Sequence, residues 1–179
     1  MCKKIYKINQ VEWHVLYEYD DFLERLFFRY KEQCDRLLAL VFLEPIHQYL
    51  HKMKKYTVCS LCSSDQKRMQ RGFDPLSDIF GFYDVSIVSP LYKKKEHKQS
   101  DLSKEEREKV NDVIFRKEHY TLADKPILLV DDVCTTGASL QRGIELLSPN
   151  KAFCDCRSSV MAFSTSRNDC RKKEPLLVE

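Results

Sequence analysis

No apolar run in this sequence approaches the ~20 residues that a membrane-spanning helix needs, so no membrane insertion is expected. The start, Met1-Cys2-Lys3-Lys4-Ile5, carries charge with no apolar stretch behind it. No secretory leader is therefore expected, and a cytoplasmic location is. Strong charge of one sign is also missing: the net charge is +3, which neither demands nor excludes nucleic acid. There is no internal repeat and no low-complexity segment. His14, His47, His51 and His119 have no metal-ligand spacing.

What is present fits a soluble globular chain, with 43% apolar and 32% charged residues. A length of 179 residues suffices for one domain with a proper core and is too short for two. A single domain over residues 1–179 is the expectation. Eight cysteines are many for a chain without a leader. Several fall inside apolar patterns, where Cys behaves as a small buried hydrophobe, and free thiols are expected. Cys59-x-x-Cys62 has zinc-knuckle spacing, and Cys154-x-Cys156 would place two thiols on one face of a strand. A zinc ion joining the pairs is the alternative to buried free cysteines; the strand pattern at Cys59 favours the latter.

Hydrophobic periodicity gives the order of elements. An apolar stripe through Leu23, Phe27, Tyr30, Cys34, Leu37, Leu38 and Val41 predicts an N-terminal helical segment over about 14–50, with Asp20 or Asp21 as N-cap. Pro45 marks a break or the start of a second helix through Ile46, Tyr49 and Leu50. "YTVCSLC" reads as a short buried strand, "SSDQKRMQRGFDP" as loop and turn, Ile79 to Phe82 as a helix end, and Val85 to Val88 as a strand. Residues 92–112 are highly charged and read as a mobile loop leading into a charged helix from about Ser103. Ile127 to Val130 is a strand of the kind buried on both sheet faces. Leu140 to Leu147 reads as helix, Val160 to Phe163 as a late strand, and the chain from Arg167 as a polar tail. Alternating strands and helices after a helical start point to α/β with a mostly parallel sheet.

The densest chemistry lies in "ILLVDDVCTTGASLQRG". In a parallel sheet, ligands bind beyond the carboxyl ends of the strands, and Asp131 and Asp132 are expected at such an end. Thr135, Thr136, Gly137, Ala138 and Ser139 then lead into a helix. Its N-terminal amides and dipole favour an anion, and Gly137 permits close backbone approach. Phosphate on the loop and sugar hydroxyls on the acids suit a ribose 5-phosphate, with Mg²⁺ bridging the sugar oxygens and keeping several waters. An acid pair alone is better read as a surface turn. No Lys follows Gly137 as a Walker A loop requires. A receiver domain carries its acids after the first strand, and too little chain follows Ile127 for the rest of one.

"LLVDDVCTTGAS" closely resembles the PRPP-binding signature of type I phosphoribosyltransferases, with Cys134 at a position usually aliphatic. The resemblance implies the Rossmann-like fold of that family, with helices flanking the sheet. It also implies that Asp131 and Asp132 hold ribose hydroxyls, that residues 135–139 hold the 5-phosphate, and that Mg²⁺ takes part at Asp131 and Asp132, directly or through water.

Further stretches resemble the competence protein ComF family. "YEYDDFLERLFFRYKEQCDRLLALVF" is similar to its N-terminal helical part, with "Y-x-Y" and "yK-x-x-x-D". "SSDQKRMQRGFDP" resembles its "S-x-x-R-x-x-x-R-G-F-N-Q", and "HKQSDLSKEEREKVN" its flexible loop and helix. The matches stand in family order over roughly residues 13–165. Members of that family usually begin with a four-cysteine zinc ribbon; here only Cys2 precedes the helix, so the ribbon is absent or lies outside this sequence, and Ser60 and Cys62 replace two prolines. "RGFNQ" is Arg71-Gly72-Phe73-Asp74-Pro75. These departures fall on the pyrophosphate side and bear on turnover more than on PRPP binding.

The leaving pyrophosphate needs positive charge and oriented donors. Lys67, Arg68 and Arg71 can supply the charge, Ser63 and Ser64 the donors. Lys94, Lys95 and Lys98, with Lys93 and His97, lie on the loop that would close over the leaving group; the alternative is a solvated charged loop. Three functions remain open. One is transfer of phosphoribose from PRPP to a nitrogen nucleophile. Another, implied by the ComF resemblance, is a non-catalytic adaptor in natural transformation that partners a helicase-like ATPase. The third is direct binding of single-stranded DNA by residues 52–71 and Arg167, Arg171, Lys172 and Lys173, with Tyr56 and Phe73 stacking on bases.

Overall fold

The computed structural model describes residues 4–8, 11–61, 65–94, 113–122, 125–134, 137–147 and 159–165. Its main sheet has five strands in the order β1-β2-β7-β6-β3. These are β1 Lys4–Ile8, β2 Val11–Glu18, β3 Thr57–Ser60, β6 Ile127–Cys134 and β7 Ser159–Thr165. β1 and β2 are antiparallel; the β2–β7, β7–β6 and β6–β3 pairings are parallel. A separate two-stranded ribbon pairs β4 Leu91–Lys94 with β5 Val113–Arg116. The expected α/β architecture with a mostly parallel sheet is present.

Two apolar clusters cover the sheet. α1 Asp21–Glu32, α2 Ala39–Leu43, the 3₁₀ turns of Glu44–Lys55 and α4 Pro75–Gly81 pack with Leu128 and Val130 of β6. The other cluster joins Ile127 and Leu129 to α5, Ala138–Leu147, and to Leu91 and Ile114 of the ribbon. Alternation along one strand thus serves both layers, and the continuous apolar run of β6 is buried on both faces as a central parallel strand should be. Gly143 lets α5 approach closely: a Cβ there would stand 2.7 Å from Leu129 Cδ2.

Three expectations along the N-terminal half are corrected. The helical segment does not start near residue 14, because β2 runs to Glu18. Val11, Trp13 and Val15 are buried while Glu12 is exposed, a period of two that the helical stripe masked. Asp20 then caps α1, its Oδ1 accepting from the Leu23 N–H at 2.8 Å. The stripe fails after Tyr30. Cys34 takes φ +56° and breaks the helix, so Leu37 and Val41 end up exposed. Pro45 does open a new element, at the start of the 3₁₀ turns. Finally, residues read as loop form α3, Asp65–Arg71. Gly72 (φ +74°) ends it, and Asp74 with Pro75 starts α4, Asp74 Oδ1 accepting from the Ser77 N–H at 2.9 Å.

Further along, the expected strand at Val85 to Val88 is a single bridge from Val88 to Cys59. Ser60, where the ComF pattern has proline, hydrogen-bonds through Oγ to Ser89 Oγ at 2.7 Å and fixes that edge. The charged stretch from Tyr92 begins as strand rather than loop, since β4 extends through Lys94. Lys95, His97, Lys98 and the helix expected from Ser103 lie outside the described residues. So do Cys62, Cys154, Cys156 and the tail from Arg167.

Candidate functional site: an acid pair beside the start of a helix

The strand expected over Ile127 to Val130 runs on to Cys134, so the acids expected at its end lie within it. β6 pairs with β3 only as far as Val130, opposite Ser60; the Leu61 N–H still donates to the Val130 carbonyl at 2.8 Å. On the other side β6 continues through Asp131 and Val133 against β7 to Cys134. Asp131 and Asp132 therefore sit where β6 outruns one neighbour, at the carboxyl end of the sheet.

Each acid accepts from the backbone N–H of the next residue. Asp131 Oδ1 receives the Asp132 N–H at 2.9 Å, and Asp132 Oδ1 receives the Val133 N–H at 2.7 Å. Both residues are partly buried. Burial and then the Asp132 charge push the Asp131 carboxyl up to about 7, against the Asp132 N–H and the ammonium groups of Lys31 and Lys93. Asp132 Oδ2 takes the ammonium of Lys31 from the last turn of α1.

α5 opens a few residues on. Gly137 has φ +78° and its carbonyl accepts from the Gln141 N–H at 2.9 Å. A Cβ at Gly137 would meet the Trp13 ring at 3.1 Å, so the backbone conformation and the neighbouring indole both select glycine there. Ala138 and Ser139 form the first turn of α5, where the amides and the dipole favour an anion. Thr135 and Thr136 lie outside the described residues.

The pyrophosphate-side residues divide. Ser63 and Ser64 lie outside the described residues. Lys67, Arg68 and Arg71 all fall on α3. The Arg71 guanidinium pairs with Glu32, next to Lys31 at the end of α1. One helix turn therefore contacts the acid pair through Lys31 and the basic helix through Glu32.

Direct magnesium coordination at Asp132 would compete with the Lys31 ammonium on Oδ2. Both Asp132 oxygens and Asp131 Oδ1 already accept hydrogen bonds. Among the described residues, no group of three His, Cys, Asp or Glu is placed to hold a metal. Among the described residues, Cys34 and Cys59 are not in disulfides. Among the described residues, no helix is long and apolar enough to cross a membrane.

Over 137 residues, 76% of this chain, the sequence is 30% identical to the competence protein ComFC of Streptococcus pneumoniae, covering 62% of that protein. It is 26% identical over 157 residues, 86% of this chain, to competence protein ComFC of Bacillus subtilis, covering 63% of it. The chain is thus similar in sequence to these two ComFC proteins. It spans less than two thirds of either ComFC sequence. No family model matches the chain.

Two residues around the site had no assigned role in the sequence reading. Lys31 stands in the "yK-x-x-x-D" string shared with the ComF pattern, but its partner is 101 positions away and no local spacing joins them. Trp13 looks like an ordinary core aromatic. Only the strand order, which brings β2 and β6 to either side of β7, sets its ring against Gly137.

Proposed function

We propose that this chain is a phosphoribosyltransferase-like protein that binds PRPP, or another ribose 5-phosphate, and serves DNA uptake during competence. The observation that carries the reading is the acid pair at the point where β6 outruns β3, followed by Gly137 at positive φ and the N-terminus of α5. Sugar hydroxyls would donate to Asp131 and Asp132. The 5-phosphate would sit on residues 135–139. Its negative charge matches the helix dipole, and its oxygens match the amides. In transfer chemistry, the carboxylates would favour the positive charge that develops on the ribose ring as pyrophosphate leaves and a nitrogen nucleophile attacks C1. Lys67 and Arg68, with Lys94 at the end of β4 and Lys95 and Lys98 beyond it, would face the leaving group. Mg²⁺ would enter with the pyrophosphate as the ligand's own counter-ion. The competence role rests on the similarity to the two ComFC proteins.

A second reading is favoured by Arg71. Arg71, expected among the cations of the pyrophosphate side, has its guanidinium engaged by Glu32. That arrangement suits a non-catalytic adaptor that binds the ligand, partners a helicase-like ATPase and contacts single-stranded DNA.

Calorimetric titration of PRPP with Mg²⁺, followed by a pyrophosphate-release assay across a panel of bases, separates the two. Binding with release supports the transferase, and binding without release the adaptor. Asp131→Asn and Asp132→Asn should each abolish binding. Undiminished binding in both variants removes the site from consideration.

A further inference from the structure

Asp132 is an occupied carboxylate. Its Oδ1 accepts the Val133 N–H and its Oδ2 the Lys31 ammonium. The lysine side chain is only 14% exposed, and its Nζ also lies 4.6 Å from the centre of the Phe27 ring. The partners stand 101 positions apart in sequence, so the pair is built by the fold, unlike a chance neighbour on a surface helix. Two adjacent carboxylates in a partly buried place require compensating positive charge. α1 delivers one such charge directly onto the second acid.

A magnesium-sized ion takes carboxylate oxygens at about 2.0–2.1 Å and in a strict octahedron. To reach Asp132 Oδ2 it would have to expel the ammonium, leaving Lys31 largely buried against Phe27 without its counter-ion. A sugar hydroxyl is neutral and can donate to the same carboxylate without disturbing that balance.

We propose that Lys31 is the resident cation of this site, holding the place beside Asp132 that a divalent ion would otherwise take. The acid pair is then addressed by the hydroxyls of a sugar phosphate, and metal reaches the site only on the ligand. The ligand class rests on the ribose-phosphate reading; the cation assignment does not.

The test uses the full chain and Mn²⁺ alone, with bound ion measured by electron paramagnetic resonance. The wild type and Lys31→Arg should show no site that depends on Asp132. Lys31→Met should bind Mn²⁺ at least tenfold more tightly than the wild type, and adding Asp132→Asn should abolish the gain. A Mn²⁺ site in the wild type that Asp132→Asn removes would overturn the assignment. That comparison stands even if Lys31→Met fails to fold. A parallel titration of ribose 5-phosphate in EDTA and in Mg²⁺ should give equal affinities for the wild type, whereas a strict Mg²⁺ requirement would count against the proposal. Absence of binding in both conditions would sink the ribose-phosphate reading and leave the Mn²⁺ result to decide on Lys31.

Discussion

The Cβ that Gly137 lacks would stand 3.1 Å from Cη2 and 3.2 Å from Cζ3 of Trp13. The entry to α5 is thus shaped by a ring on a strand that is not even its sheet neighbour. Gly137→Ala meets two obstacles, a left-handed backbone at φ +78° and a crowded indole. Strain of this sort costs about 1–3 kcal/mol, which corresponds to roughly 2–4 °C in Tm per kcal/mol for a chain of this size. A fall of several degrees in thermal unfolding is expected, together with weakened ribose 5-phosphate binding. An unchanged Tm would show that the backbone or Trp13 yields without strain.

Glu32 holds Arg71 and tests the adaptor reading. The glutamate side chain is 49% exposed, and such a pair adds only about 0–1 kcal/mol, so Glu32→Gln should leave Tm nearly unchanged. Its effect should appear at the ligand. Releasing the guanidinium frees a bidentate donor for phosphate oxygens, and pyrophosphate affinity should rise several-fold in a direct titration. Unaltered affinity would mean that Arg71 does not reach the ligand at all.

How far these features were legible follows from the range of the signals. The apolar run of β6, the N-cap at Asp20, the helix after Gly137 and the parallel sheet rest on local pattern, and the chain forms them. The strand β2 and the helix α3 were missed for local reasons too: a two-residue alternation sat against a longer helical stripe, and a polar seven-residue helix has too little apolar content to show a period. Lys31 on Asp132, Glu32 on Arg71 and Trp13 on Gly137 are contacts between segments far apart in sequence. Composition and spacing carry no trace of them, and they are what gives the acid pair its electrostatic surroundings.

Two cysteine environments differ enough to be read chemically. Cys34 is exposed and Cys59 buried. Burial pushes the Cys59 thiol up to about 12, partly offset by Arg116. At pH 8 its thiolate would then be about one part in ten thousand, and the thiolate is the reactive form. Iodoacetamide at pH 8, read by peptide mass mapping, should label Cys34 rapidly in the folded protein. Cys59 should react only once denaturant is added. Equal labelling of the two without denaturant would contradict the burial of β3.

Asp131 gives the site a pH signature. Its carboxyl, ordinarily near 3.8, is raised to about 7, first by burial and then by Asp132. Below about pH 4 both the folded and the unfolded chain hold this proton. Between pH 4 and 7 the unfolded chain releases it while the folded chain keeps it, so folding stability declines as the pH climbs through that window and stays lower above it. Asparagine keeps the oxygen that accepts from the Asp132 N–H and removes the charge. Asp131→Asn should therefore melt close to the wild type at pH 4 and above it at pH 8, with the gap opening between. Thermal unfolding of both proteins across pH 4 to 8 in EDTA measures that gap directly. A constant difference over the range would mean that Asp131 keeps an ordinary carboxylate's acidity, and that Lys31 and Lys93 compensate both acids in full.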